Sequence, residues 1–284
     1  MKVFEKKSSL TDCISILKQE NNQIGFVPTM GALHKGHLSL VKQSKNENSI
    51  SVVSIFVNPT QFDNSEDLKK YPKTLENDLA LLRSIGCDIV FIPSVEEIYK
   101  DNVSSKSYTF DGIEHQMEGK FREGHFDGVA TIVHTLFDLV KPSKAYFGEK
   151  DFQQLQIIKK LVHQEQLPVE VIGCPIFRES DGLAMSSRNT RLTKEHRVAA
   201  PFIYKILSIV SSKVHSINID DIISFVEDEF QKNSFLDLEY FSIAEEETLL
   251  EATSIVSHKK YRAFIAVNAG NIRLIDNIAL GNNT

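Results

Sequence analysis

An alternation of short apolar runs with helical patterns over the first 175 residues is the feature that most restricts how this chain folds. Each run is short, apolar and bounded by Gly, Pro, Asn or Asp, as β-strands commonly are. The predicted strands are 24–28, 51–57, 88–92, 145–147 and 169–173. The predicted helices between them are 37–45, 75–85, 129–140 and 152–164. This order predicts an α/β fold with a Rossmann-like, doubly wound parallel sheet, in which ligands bind beyond the carboxyl ends of the strands.

The pattern changes after about residue 176. Helices are predicted at 194–214 and 220–232, and strands at 238–243, 262–267 and 272–275. Asn268-Ala-Gly-Asn271 joins the last two strands, which predicts a hairpin. We therefore expect two domains: a Rossmann-like domain over 1–176, and a smaller α+β domain over 177–284 that acts as a lid.

Composition excludes several classes of function. The 284 residues carry a net charge of −6, without the basic excess of nucleic-acid-binding proteins. No apolar stretch is long enough to span a bilayer, and the N-terminus lacks the apolar core of a signal peptide. The three cysteines, Cys13, Cys87 and Cys174, are far apart and form no CxxC motif. We expect a cytoplasmic protein with reduced thiols that binds neither nucleic acid nor membrane.

The stretch PTMGALHKGH, residues 28–37, follows the first predicted strand directly. Gly31 permits a tight turn and the close approach of a ligand. Gly36 and His37 lie where a helix should begin, and the N–H groups and dipole of a helix start favour anions such as phosphate. The GxxxxGK[ST] pattern of a Walker loop is absent. On this stretch alone, a phosphate site competes with a polar helix cap and with a histidine metal pair that lacks a third ligand.

Two further polar segments follow predicted strands. In FVNPTQF, Asn58 and Gln61 place two amides at the rim of the sheet, where they suit a substrate's hydroxyl and carboxylate oxygens. A simple turn is the alternative for this segment. In YFGEKDFQQ, Lys150 can neutralise phosphate charge and Asp151 can accept ribose hydroxyls. The alternative there is an ordinary helix start capped by the aspartate.

Two loops complete the candidate site. EGKFREGHFDGV precedes a predicted helix and suggests a lid, with Arg122 and His125 as either functional or solvated residues. FRESDGLAMSSRN lies at the predicted domain junction. Its Ser186, Ser187 and Arg188 supply two hydroxyls and a guanidinium that can bridge phosphate oxygens. The alternative for this loop is a polar interdomain connection.

HKGH resembles the HxGH signature of the nucleotidylyltransferase superfamily. With the other four segments and the C-terminal NIRLIDNI, nearly the whole chain resembles the pantothenate synthetase (pantoate–β-alanine ligase) family. The resemblance implies ATP-dependent condensation of (R)-pantoate with β-alanine through a pantoyl adenylate, with release of AMP and pyrophosphate. It also implies Mg²⁺ as cofactor, pantoate, β-alanine and ATP as small-molecule partners, and a cytoplasmic homodimer.

The resemblance also implies roles for particular residues. Catalysis falls to His34, His37, Lys150 and Arg188. Substrate binding falls to Asn58, Gln61, Tyr71 and Gln154. ATP contacts fall to Met30, Gly31, Ala32, Leu33, His34, Lys35, Gly36, His37, Gly148, Glu149, Lys150, Asp151, Phe177, Met185, Ser186, Ser187 and Arg188. The metal ligands are not identified.

The sequence departs from the family pattern at two positions. Lys73 stands where the family usually has Arg, which keeps the charge but loses the bidentate fork. Glu123 stands where it usually has Pro, which bears on the rigidity of the loop. Two other functions compete with the ligase. One is an HxGH nucleotidylyltransferase with a phosphate acceptor, and the other is a nucleotide-binding regulatory module without turnover.

Overall fold

The computed structural model describes residues 1–62 and 65–281, which divide into two compact units. The first unit comprises Met1–Glu114, Glu118–Glu149 and Gln154–Pro175. The second comprises His115–Met117, Lys150–Gln153 and the chain from Ile176 onward. The domain limits 1–176 and 177–284 and the lid role stay predictions. Within the described ranges, no helix has the length and apolar character needed to cross a membrane.

The first unit is built on a six-stranded parallel sheet, which confirms the predicted fold class. Its strands are β1 (Lys2–Phe4), β2 (Ile24–Thr29), β3 (Ile50–Ile55), β4 (Ile89–Phe91), β5 (Lys144–Gly148) and β6 (Glu170–Cys174). Their order is β1-β4-β3-β2-β5-β6. The strand order reverses where β2 lies between β3 and β5. In doubly wound sheets, ligands bind beyond the strand ends at such a point.

The strands alternate with helices. These are α1 (Lys7–Gln19), α2 (Lys35–Glu47), α3 (Ser65–Lys70), α4 (Leu75–Ser84), α5 (Val95–Tyr99), α6 (Met117–Phe121), α7 (His125–Val140) and α8 (Phe152–Gln164). Three short 3-10 turns lie at Pro59–Gln61, Ile113–His115 and Glu149–Asp151. The apolar face predicted for 129–140 is buried in α7, which begins four residues earlier than predicted.

The second unit pairs helices with a three-stranded antiparallel sheet. Its elements are α9 (Lys194–Ala199), α10 (Phe202–Lys213), α11 (Ile219–Gln231), β7 (Asp237–Glu245), β8 (Tyr261–Ala269) and β9 (Ile272–Leu280). The predicted hairpin between β8 and β9 is confirmed, and Gly270 has the positive φ of +60° that its turn requires. The single helix predicted over 194–214 is wrong. Pro201 separates two helices, because proline has no N–H to donate and restricts the residue before it.

Candidate active site

The turn after β2 is held by a buried carboxylate. Gly31 has φ +80° and Ala32 has φ +50°, so two successive residues adopt the left-handed conformation. The side chain of Asp78, on α4, accepts hydrogen bonds from the backbone N–H of Ala32 at 2.9 Å and of Leu33 at 2.8 Å. A Cβ added to Gly31 would lie 3.1 Å from the Asp78 Oδ2 atom. Glycine is therefore favoured at this position by its conformation, and a larger residue would also have to displace the Asp78 carboxylate slightly.

Sequence reasoning missed Asp78, although a signal was present. Its side chain is 1% exposed and accepts a further hydrogen bond from the Thr74 hydroxyl at 3.0 Å. Asp78 precedes the buried Leu82 by four residues, so the two share the inner face of α4. A carboxylate on an apolar helix face is expected to be buried, so it indicates hydrogen-bond donors for that carboxylate inside the fold.

The rings of His34 and His37 lie against each other at the start of α2, with an angle of 31° between their planes. His34 is the N-cap residue, and its backbone N–H donates to Nδ1 of His37 at 3.3 Å. The two ring centroids are 4.0 Å apart. Because Nδ1 of His37 accepts a hydrogen bond, the proton of the neutral ring lies on Nε2. His37 thus carries an Nε2–H donor at a helix start that itself favours anions.

A metal pair is not the better interpretation of these histidines. Nδ1 of His37 is already an acceptor for a backbone N–H. Among the described residues, no group of three or more His, Cys, Asp or Glu side chains could hold a metal ion. Lys35 is exposed and Gly36 is half-buried in the same first turn of α2.

Gln61 lies on the 3-10 turn that follows β3, in contact with the turn that follows β2. Its side-chain Nε2 donates to the Met30 sulfur at 3.0 Å, and its Oε1 accepts from Asn58 Nδ2 at 3.3 Å. The structure therefore brings Met30 and Gln61, two predicted site residues from separate motifs, to one edge of the sheet.

Asn58 is buried, with 1% of its surface exposed, and its amide is engaged by the protein. Nδ2 donates to the carbonyl of Gly128 at 3.1 Å, and Oδ1 accepts from the Tyr99 hydroxyl at 2.6 Å. Burial raises the pKa of Tyr99, so its hydroxyl keeps the proton that it donates. Asn58 thus orients Gln61, and Tyr99, which the sequence did not single out, orients Asn58.

Arg122, in the loop before α7, and His125, the first residue of α7, both bind the backbone of Gln61. The Gln61 carbonyl accepts from Nδ1 of His125 at 2.8 Å and from Nη2 of Arg122 at 3.3 Å. Nη1 of Arg122 lies 3.2 Å from Nε2 of His125 and 3.7 Å from the Glu118 carboxylate. Arg122 and His125 are therefore packed against the turn rather than solvated, and both act on the position of Gln61.

Tyr71, Gln154 and the two departures from the family pattern also belong to the first unit. Tyr71 is buried, with its ring edge-on to Phe62 at 5.8 Å between centroids. Gln154 is half-buried in the first turn of α8, while Lys73 and Glu123, the two departures from the family pattern, are exposed.

Gly148 ends β5, the neighbour of β2. A Cβ added there would meet no atom within 4 Å, and its φ is not positive. Neither the fold nor the backbone conformation requires glycine at this position, so the open space suits the approach of a ligand. Glu149 follows and begins the short 3-10 turn that leads out of the strand.

The other candidates belong to the second unit. Nζ of Lys150 lies 3.8 Å from the Asp151 carboxylate, and 18% of the Lys150 side chain is exposed. Ser186 caps the 3-10 turn Ser187–Arg191, with its Oγ accepting from the Arg188 N–H at 3.3 Å. Just before this turn, the Met185 N–H donates to the Phe177 carbonyl at 3.0 Å, which closes a small hairpin.

Comparison with known proteins points to one family. The family model described as Pantoate-beta-alanine ligase matches residues 2–279 of this chain. A pantothenate synthetase of Christiangramia forsetii is 51% identical over 283 residues, which cover 99% of this chain and 100% of that protein. Another, from Flavobacterium psychrophilum, is 50% identical over 281 residues, with 99% and 100% coverage.

Solved structures give the same result. The crystal structure of pantothenate synthetase from Thermus thermophilus has a TM-score of 0.92 and 39% identity, and covers 99% of both chains. A pantoate-beta-alanine ligase from Francisella tularensis, complexed with beta-gamma ATP and beta-alanine, has a TM-score of 0.82 and 36% identity. That comparison covers 99% of this chain and 98% of the Francisella chain.

Proposed function

Since the chain belongs to the pantoate-beta-alanine ligase family, we propose that residues beyond the carboxyl ends of its parallel strands bring the carboxylate of pantoate to the α-phosphorus of ATP. The reaction catalysed is the ATP-dependent condensation of pantoate with β-alanine. The roles of individual residues in this reaction are our assignment.

The condensation has two steps. A carboxylate oxygen of pantoate forms a bond to the α-phosphorus, and the bond from that phosphorus to the β-phosphate oxygen breaks, which releases pyrophosphate. The amine of β-alanine then attacks the carbonyl carbon of the pantoyl adenylate. The bond from this carbon to the phosphate oxygen breaks, AMP leaves with that oxygen, and the nitrogen loses a proton to form the amide. No protein side chain becomes covalently attached.

The electrostatic problem of the first step is the approach of an anion to a polyanion, so oriented donors and cations supply the catalysis. The Nε2–H donor of His37 at the start of α2 is the observation that carries our assignment. We assign His37 to the charge that develops on the phosphates as pyrophosphate leaves. His34, whose ring lies against that of His37, completes the phosphate-binding turn with the backbone of 30–36.

Pantoate is assigned to the turn after β3. Gln61 offers its side-chain amide to the substrate. Arg122 and His125 bind the backbone carbonyl of Gln61, and Asn58 orients its side chain. Such a preorganised amide suits the hydroxyl and carboxylate oxygens of a small polar acid. Tyr71 and Gln154 stay predicted substrate contacts.

Lys150 and the segment 186–188 belong to the second unit, and we assign them to ATP phosphates. Lys150 supplies a positive charge, and Arg188 supplies a guanidinium fork suited to phosphate oxygens. Asp151, Phe177 and Met185 stay predicted ATP contacts.

Mg²⁺ would enter with ATP. Magnesium is commonly held by phosphate oxygens, water and one or two carboxylates rather than by a protein cage. This mode of binding is consistent with the described residues, among which no three or more His, Cys, Asp or Glu side chains could hold a metal ion together. When bound, the ion would neutralise phosphate charge. We also propose that the enzyme works in the cytoplasm as a homodimer.

Omission of each substrate tests the proposal. AMP release should require ATP, pantoate and β-alanine together, whereas exchange of labelled pyrophosphate into ATP should require pantoate but not β-alanine. Exchange that proceeds without pantoate, or that depends on β-alanine, would contradict a separate pantoyl-adenylation step. A mononucleotide in place of pantoate should support neither reaction.

A further inference from the structure

Strand β9 carries two consecutive polar residues, Asp276 and Asn277, within the segment NIRLIDNI. Both are buried, with 5% and 1% of their surfaces exposed. Asp276 lies opposite Ile265 and Asn277 lies opposite Phe264 on β8. Successive residues of a strand face opposite sides of the sheet, so the pair reaches both faces. Buried polar side chains need partners inside the fold, and each of these two has them.

On one face, Asp276 holds Arg178. Nη1 of Arg178 donates to Oδ2 of Asp276 at 2.6 Å and Nη2 donates to Oδ1 at 3.0 Å, a bidentate pair. The guanidinium also lies 3.8 Å from the centroid of the Tyr204 ring and donates to the Gly182 carbonyl at 3.1 Å. Arg178 in turn pairs with Ala184 across a β-bridge. Through Arg178, Asp276 therefore holds both the base of the hairpin 177–185, at the bridge to Ala184, and its tip, at Gly182. This hairpin leads directly into 186–188.

On the other face, Asn277 holds the backbone of Lys150. Its Nδ2 donates to the Lys150 carbonyl at 2.9 Å, and its Oδ1 accepts from Nη1 of Arg262 at 2.6 Å. The Arg262 guanidinium lies 4.0 Å from the centroid of the Phe152 ring, and the Phe152 and Phe264 centroids are 5.9 Å apart. The segment that carries Lys150 thus contacts the sheet twice, at the Lys150 carbonyl and at the Phe152 ring.

We propose that Asp276 and Asn277 are positioning residues for adenylation. Through Arg178, Asp276 sets the hairpin before 186–188, and Asn277 sets the backbone from which the Lys150 side chain extends. Two adjacent residues of one rigid strand would then place both groups of phosphate-binding residues of the second unit. This inference rests on the assignment of Lys150 and Arg188 to ATP.

Asn277→Asp is the most informative substitution. It keeps the shape and the oxygen that accepts from Arg262, but it replaces the donor to the Lys150 carbonyl by an oxygen. We expect kcat for pantoate-dependent pyrophosphate exchange to fall about 10- to 100-fold, the scale of a displacement near 1 Å at a reacting centre. The KM for ATP should rise, whereas the KM for pantoate should stay unchanged, because Gln61 belongs to the other unit.

Asp276→Asn is the second test, since the amide keeps the shape but loses the charge that Arg178 pairs with. The matched control is Arg273→Ala, which breaks an ion pair with Glu239 on the same sheet, 2.6 Å between Nη2 and Oε2. All three variants should be compared by guanidinium unfolding as well as by exchange. The control should leave both KM values unchanged even if it lowers stability.

The outcomes separate this inference from the proposed function. A folded Asn277→Asp or Asp276→Asn variant with exchange within about twofold of the parent, or with ATP and pantoate use impaired equally, would overturn the positioning role. Failure of both variants to fold, beside a folded control, would assign the pair to folding and also overturn it. The proposed function is decided independently, by the dependence of the parent enzyme on pantoate and by His37→Ala.

Discussion

His37 is the residue for which local geometry makes the strongest chemical prediction. A backbone N–H bonded to its Nδ1 places the ring proton on Nε2. We expect His37→Ala to lower pantoate-dependent pyrophosphate exchange by ~10²-fold or more, the loss typical of one oriented transition-state donor. The matched control is His163→Ala, an exposed histidine on α8. Exchange near the parent rate in His37→Ala would remove this residue from the mechanism.

Gln61 makes a prediction about substrate binding rather than about the chemical step. Replacement of its amide by Ala should raise the KM for pantoate about 10-fold or more, the cost of one hydrogen bond to a charged group. The KM for ATP should change little. Gln19→Ala, an exposed residue at the end of α1, provides the control in steady-state assays. An unchanged KM for pantoate would place that substrate elsewhere.

At the scale of elements, the site depends on the packing of α7 against the 3-10 turn Pro59–Gln61. A Cβ added to Gly128 would lie 2.3 Å from the Thr60 carbonyl oxygen. Gly128→Ala must therefore push the turn away from the helix, and it should cost roughly 1–3 kcal/mol of stability, as overpacking does. Because the same turn carries Gln61, the KM for pantoate should rise as well.

Asp138→Ala is the matched control on the same helix, since 69% of that side chain is exposed. Urea unfolding and pantoate titration of the two variants separate the effects. If Gly128→Ala lost stability but bound pantoate like the parent, the turn would not be the element that positions the substrate.

Elements were predictable from sequence where the pattern was strong. Five of the six strands of the sheet were predicted from their apolar runs, and the strand ends carried the polar motifs. β1 was missed because it is short and mostly exposed, whereas the equally short β4 is fully buried; α1 was missed because few of its residues are buried. The helix over 194–214 was predicted as one because apolar spacing continues on both sides of Pro201.

The contacts within the candidate site were less predictable than its residues. HKGH, Gln61 and the serine-arginine segment could be named from short motifs, because residue type and position after a strand carry that information. Asp78 acts on a turn 45 residues earlier in the chain, and Asn277 acts on Lys150, 127 residues away. Such pairings depend on tertiary packing, which no local pattern in a single sequence encodes.

At the scale of the whole molecule, buried thiols couple stability to alkaline pH. Burial raises the pKa of Cys87 from 9.0 to about 11 and that of Cys174 from 9.0 to about 12. The folded chain therefore keeps both protons at pH values where the unfolded chain has lost them. The resulting stability is fully present below pH 9 and falls as pH rises from 9 towards the folded pKa values.

Two measurements check this. The free energy of unfolding should decline as the pH rises above 9, and less steeply in Cys87→Ala. In the native protein a thiol reagent should modify Cys13, which is partly exposed, and should reach the two buried thiols only after unfolding. Rapid modification of all three thiols in the native state would contradict the burial on which the prediction rests.

The central claim is that pantoate is adenylated at the turn that joins β2 to α2. A crystal structure of the protein with pantoate and a non-hydrolysable ATP analogue tests it most directly. The account predicts a pantoate carboxylate oxygen about 3–3.5 Å from the α-phosphorus, with a phosphate oxygen accepting from Nε2 of His37. A nucleotide whose phosphates lie away from residues 30–37, with pantoate bound beside Gln61, would contradict it.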